Sequence, residues 1–148
     1  MLPGNGEIRV RTEEKGNAMD ETSSKKERIR AVRAADLAYL GDAVLEVLVR
    51  RQVIGRGGEH PSETALSFVT APAQSDALER ILPLLTEEEE DMYRRGRNCV
   101  HGGVPKKATV AQYRRATGFE TLFGYLYLLE EWTRMEELFS AAYPEKEE

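Results

Sequence analysis

The sequence predicts an all-α fold. Apolar residues recur at three- and four-residue spacing through most of the chain. Helix start signals precede those runs. No stretch alternates apolar and polar residues for long enough to make a useful strand. Residues 1 to about 28 are polar, mixed in charge and poor in large apolar groups, so an unstructured tail is expected there. The folded part then spans 29–143, and 144–148 is a frayed end. Its first helix carries Leu37, Leu40, Val44, Leu45 and Leu48 on one face, and the glycines of Gly55–Gly58 stop it. Ala34, Ala35, Ala38 and Gly41 make a small-residue face that another helix can approach closely. HPSETALSFV and APAQSDALERIL each read as a shorter helix opened by a proline. Thr86 with Glu89 forms a capping box that opens TEEEEDMYRRGRN, acidic at its start and basic at its end, as the helix dipole prefers. CVHGGVPKKA is a loop. Thr109 with Gln112 opens a long helix to about Glu130, and a last helix runs from about Trp132 to Tyr143. The expectation is six or seven helices.

Composition bounds the function. The 148 residues amount to one domain, 41% hydrophobic and 32% charged. The longest apolar run, Leu122 to Leu129, falls far short of the roughly 20 residues that span a membrane. The first residues have no signal-peptide block, and the single cysteine, Cys99, forms no internal disulfide, so a cytoplasmic protein is expected. The net charge of −5 argues against a nucleic-acid partner, but its distribution argues for one. From Met92 to Ala116 the charged residues are Arg94, Arg95, Arg97, Lys106, Lys107, Arg114 and Arg115, with no acid among them.

Two carboxylates sit where apolar side chains are expected. Asp42 lies inside LAYLGDAVLEVLV, and Glu120 is the only charge in TGFETLFGYLYLL. A buried carboxylate without a partner is costly or stays protonated. Glu46 has Arg50 one turn on and reads as an ordinary surface pair. Neither Asp42 nor Glu120 has a basic residue at such spacing. If their two helices pack together, the carboxylates converge, and a hard divalent ion would relieve the repulsion. Mg²⁺ is often held by one or two carboxylates plus water and substrate phosphate. HExxH, Cys/His clusters, EF-hand loops, GxSxG and P-loops are all absent, and His101 is a lone histidine beside Cys99 in a glycine loop. The basic segment suits phosphates, with Arg for bidentate contacts, Lys for point charges and glycines for close backbone approach. Tyr93 and Tyr113 are too few for a stacking platform, which favours a duplex backbone over a single strand.

LAYLGDAVLE, Leu37 to Glu46, resembles the signature motif of the ribonuclease III catalytic domain, and FETLFGYLYL, Phe119 to Leu128, resembles that family's second acidic motif. RGRN (Arg95 to Asn98), VPKK and YRRATGFE are similar to its Mini-ribonuclease III branch, which consists of the catalytic domain alone. The likeness covers roughly residues 30 to 143. It implies an all-α homodimer whose signature helices pack across the two-fold, giving the Ala34, Ala38 and Gly41 face a use. It implies cleavage of both strands of double-stranded RNA, and a role in maturing the 23S ribosomal RNA precursor. Asp42 and Glu120 would be catalytic and hold Mg²⁺, with Mn²⁺ an alternative, and Glu46 would support them. Arg94, Arg95, Arg97, Asn98, Lys106 and Lys107 would contact the RNA. Two acids of the ribonuclease III pattern are replaced, by Ala38 and Thr117. That departure motivates a rival expectation, a non-catalytic helical module that binds RNA or protein.

Overall fold

The computed structural model describes residues 18–100 and 106–145. Among them are α1 (Ala18–Arg30), α2 (Ala34–Arg56), α3 (Pro61–Val69), α4 (Ala71–Ile81), a 3-10 turn (Leu82–Leu84), α5 (Glu87–Asn98), α6 (Val110–Leu128) and α7 (Trp132–Ala142), with no strand. The fold is all-α, as expected. The boundary signals act as read. Both capping boxes are closed, with Thr86 and Thr109 accepting from the third residue onward and receiving its side chain in return. α2 ends at Gly57, whose φ of 74° favours glycine.

α6 is the axis of the molecule. Gly118, Phe119 and the whole run Thr121–Leu126 are buried, so α6 is covered on nearly every side. α2, α4, α5 and α7 all pack on it. Leu37, Leu45, Leu78, Ile81, Met92, Phe119, Leu122, Phe123, Met135 and Leu138 are within 1% of complete burial and form the heart of the core.

Glycine permits the two closest crossings. A Cβ on Gly41 of α2 would stand 1.7 Å from the Glu120 carbonyl oxygen, and one on Gly124 would stand 2.0 Å from the Leu37 carbonyl oxygen. Leu37 and Gly41 both meet Gly124, and Gly41 also meets the Glu120 carbonyl, so α2 and α6 cross in backbone contact. This changes the use of the small-residue face. Gly41 is buried within the protomer against α6, and Ala34 and Ala38 are buried on the same helix, so this face already has a partner inside one copy. The exposed face of α2 is another one, bearing Tyr39, Val47 and Ile54. In the same way Gly96 of α5 meets Thr121 and Gly118 of α6, where its Cβ would come within 2.1 Å of the Thr121 hydroxyl. The glycine of RGRN serves helix packing, not approach to a phosphate strand.

Residues 1–17 of the expected tail lie outside the described residues, and α1 occupies the rest of that segment from Ala18. Among its residues with described burial, Ile29 is the only large apolar one that is buried, which is why the sequence reads as too polar to fold. The docking is instead largely polar: Lys25 pairs with Glu130, and Lys26 and Arg30 pair with Glu88. At the far side Glu89 belongs to the α5 capping box and also pairs with Arg134 of α7 at 2.8 Å, which ties those two helix starts together.

Candidate active site

The α2–α6 crossing places the misfit carboxylates side by side. Gly41 lies against the Glu120 backbone, so the next residue, Asp42, emerges at the rim of the seam. Asp42 is exposed and Glu120 half-buried. Burial pushes the Glu120 carboxyl from its ordinary 4.5 up to about 8, and the neighbouring Asp42 charge pushes it the same way. Burial also raises Asp42, with the Glu46 charge adding to it. No cation compensates them among the described residues: neither carboxylate forms a salt bridge, whereas Glu46 is held by Arg50 at 3.0 Å. Glu46 thus lies near enough to influence Asp42 while engaged in its own pair.

The replaced acids sit at the same seam. Ala38 is buried one turn before Asp42. Thr117 turns its hydroxyl onto the Tyr113 carbonyl oxygen at 3.0 Å. Among the described residues no group of three or more His, Cys, Asp or Glu is arranged to hold a metal. The site therefore offers a hard cation two carboxylates and open space for water and phosphate. Its donor type and its uncompensated negative charge both fit such an ion.

The basic segment divides into distinct environments. Arg95 donates to the Arg30 carbonyl at 2.7 Å and the Val32 carbonyl at 3.0 Å, so it holds the α1–α2 turn instead of pointing outward. Arg94 pairs with Glu90 at 2.6 Å and Arg115 with Glu79 at 2.8 Å. Arg97 lies over the Tyr93 ring, 5.6 Å from its centre, and Asn98 ends α5. Lys106 and Lys107 are exposed in the turn before α6. His101 and the glycines beside it lie outside the described residues. Arg114, which contributes to the same cleft as Arg97, was visible in the sequence only as part of the basic run. No helix among the described residues is long and apolar enough to cross a membrane.

Comparison with known proteins identifies the family. The family model "Ribonuclease III domain" matches residues 35–131, which include both carboxylates. The chain belongs to the ribonuclease III family, and so is an endoribonuclease domain of the class that acts on double-stranded RNA. Within that class it is similar to proteins named Mini-ribonuclease 3. It is 46% identical over 109 residues to that of Symbiobacterium thermophilum, covering 72% of this chain and 84% of the relative. It is 44% identical over 107 residues to that of Enterococcus faecalis, covering 69% and 81%. A crystal structure of a Fusobacterium nucleatum protein superposes with a TM-score of 0.70 at 28% identity, over 76% of this chain and 92% of that one.

Proposed function

We propose that the chain cleaves double-stranded RNA with Asp42 and Glu120 as its catalytic pair, holding Mg²⁺ or Mn²⁺ between them, and that precursor 23S ribosomal RNA is its substrate in the cytoplasm. The observation that carries the proposal is the pairing of two uncompensated carboxylates at the Gly41 crossing, in a domain of ribonuclease III type. Asp42 and Glu120 would hold the divalent ion, which would supply a polarised water and neutralise charge growing on the phosphate. Asp42, at the exposed rim, reaches the scissile phosphate side of the site. Glu120, set deeper, keeps a fixed position because its backbone is clamped against Gly41. Glu46 supports Asp42 electrostatically and is itself balanced by Arg50. Lys106 and Lys107, exposed in the turn before α6, contact RNA phosphates.

Cutting both strands calls for two sites, and an unpartnered face supports a homodimer. Tyr39 is 85% exposed on α2, and Ile54 and Leu66 are 73% and 65% exposed beside a groove lined by Val49, Val53, Ala65 and Val69. Ile54 and Leu66, exposed together at this groove, mark an interaction surface, and Tyr39 lies about 22 Å away along the same helix. A two-fold would bring the protruding end of α2 in one copy toward the groove at the other end of α2 in the second.

The replacements at Ala38 and Thr117 favour a second reading, a module that binds duplex RNA without cutting it. Incubating a long perfect RNA duplex with Mg²⁺ or with EDTA separates the two. The nuclease reading expects Mg²⁺-dependent shortening by the natural protein and none by a folded Asp42→Asn variant that still binds duplex. Salt-sensitive binding without cleavage by either protein supports the binding module instead.

A further inference from the structure

We propose that residues 8–11 of the N-terminal segment, Ile-Arg-Val-Arg, cover an exposed aromatic pair at the α6–α7 turn and so pin α1 to the domain. The proposal stands apart from the nuclease reading above. Its first ground is the pair itself. Tyr127, 37% exposed near the end of α6, and Trp132, 49% exposed at the start of α7, meet edge to face. Their ring centres are 5.5 Å apart and their planes stand at 82°. Each ring fixes the other, while a broad apolar area stays open to water. Tyrosine and tryptophan held in this way are the residue types that anchor contacts.

The turn between the two rings is strained and acidic. Glu130 has a φ of 60°, in the left-handed region that glycine ordinarily fills at a helix end. Its carboxylate meets Lys25 of α1 at 3.0 Å. The next residue, Glu131, is exposed and forms no salt bridge with a described residue. The aromatic pair therefore lies beside one acid that α1 already engages and one that no described cation balances.

α1 is the element that gains from an added anchor. Its 13 residues are too few to persist as a helix on propensity alone. Ile29, near its end, is its only large apolar residue with described burial that is buried. Earlier in the helix, Lys25 and Lys26 hold it through ion pairs with Glu130 and Glu88, and ion pairs open to solvent contribute little.

Position and chemistry name the occupant. Lys25 fixes α1 at the α6–α7 turn, and Ala18 lies seven residues earlier, about 10 Å along the helix. Ten residues separate Ala18 from Ile8, enough to span up to about 33 Å, so the segment reaches back to Trp132 with length to spare. Ile8 and Val10 are the large apolar residues of 1–17 that lie nearest α1, and they alternate with Arg9 and Arg11, with no acid among the four. In an extended chain this alternation turns Ile8 and Val10 to one side and both guanidiniums to the other. The apolar side suits the two rings, and the guanidiniums suit the carboxylate of Glu131.

Trp132 is the only tryptophan, so its fluorescence reports on this face alone. The test compares the full natural chain with the full chain carrying Ile8→Asp and Val10→Asp, by emission maximum and by quenching with acrylamide, across a dilution series. Both substitutions lie outside the core, and circular dichroism confirms that the helices are kept. The natural protein is expected to resist quenching at every concentration. The Asp variant is expected to be quenched several-fold more readily, with its emission shifted to the red. Arg9→Gln with Arg11→Gln is expected to fall between the two, and Ile8→Leu with Val10→Ile to match the natural protein. Equal, ready quenching of the natural and Asp proteins would show an open face and overturn the proposal. Equal protection that fades on dilution would assign the face to a second copy and overturn it as well. Cleavage of duplex RNA by the natural protein decides the nuclease reading separately.

Discussion

Replacing Glu120 by glutamine tests the carboxylate pair through stability, independently of turnover. A carboxyl whose midpoint is higher in the folded than in the unfolded chain binds its proton more tightly when folded. The stability it contributes is complete below the unfolded value of 4.5, is lost as pH rises toward about 8, and is constant above that. At 1.36 kcal/mol per pH decade, that interval corresponds to roughly 5 kcal/mol for a fully shielded group. Asp42 opens one side of the site to water and counter-ions, so about half of this, ~2–3 kcal/mol, is the expected loss. An amide carries no charge at any of these pH values, so Glu120→Gln keeps the low-pH stability. Urea unfolding in EDTA at about pH 5 and about pH 9 measures both proteins. The natural protein should lose stability over that range and the variant should lose much less. Mg²⁺ added at the higher pH should restore the natural protein, since it binds only the folded form, and should do little for the variant. Parallel pH–stability curves, or an equal gain from Mg²⁺ in both proteins, would refute the reasoning.

Other consequences are open to direct measurement. Gly41→Ala drives a methyl into the Glu120 carbonyl, which cannot yield, and should cost about 3 kcal/mol or more in urea unfolding together with cleavage activity. Gly55→Ala, near the end of the same helix with nothing within 4 Å, should instead stabilise by about 0.5–1 kcal/mol. Arg134→Ala leaves Glu89 buried without its partner and should cost about 2–3 kcal/mol near neutral pH. Burial opposes ionisation of Glu89, but the hydrogen bonds from Arg134 and Thr86 outweigh it and hold the carboxyl below its ordinary range. That contribution is present above about pH 4.5 and fades as pH falls through the lowered value, so acid should narrow the gap between Arg134→Ala and the natural protein. Tyr39→Glu should shift a sedimentation profile from dimer to monomer, and an unchanged profile would remove α2 from the interface.

The helices were legible because their ends are local. Thr86–Glu89 and Thr109–Gln112 close the boxes that their spacing announces, and Gly57 stops α2. α1 was hidden because its attachment is not local. Lys25 and Glu130 stand far apart in sequence, and charged side chains that dock a helix look the same as charged side chains that solvate a tail. The carboxylates stood out as charges in apolar runs, and their meeting followed once α2 and α6 were assumed to pack. The partner of the small-residue face was less legible: alanines and glycine announce a close approach without saying which helix makes it. The basic run behaved similarly. Composition marks Arg94, Arg95, Arg97, Arg114 and Arg115 alike, but only geometry shows Arg95 holding backbone carbonyls while Arg97 and Arg114 pair with no described carboxylate.

The loss of two acids from the wider family pattern is consistent with the crossing that holds the remaining pair. Ala38 lies in the same seam as Glu120, buried one turn before Asp42. A third carboxylate there would be desolvated by the α2–α6 contact and repelled by two neighbours, one already raised to about 8. Ala38 adds only a methyl at this buried position, and with threonine at 117 the hydroxyl satisfies itself on the preceding turn. The metal-free protein thereby avoids much of the electrostatic cost of a four-acid site. The same economy leaves a cation fewer protein ligands, so more of its coordination must come from water and from the substrate's own phosphate. If Asp42 and Glu120 hold such an ion, its affinity should rise when RNA is present.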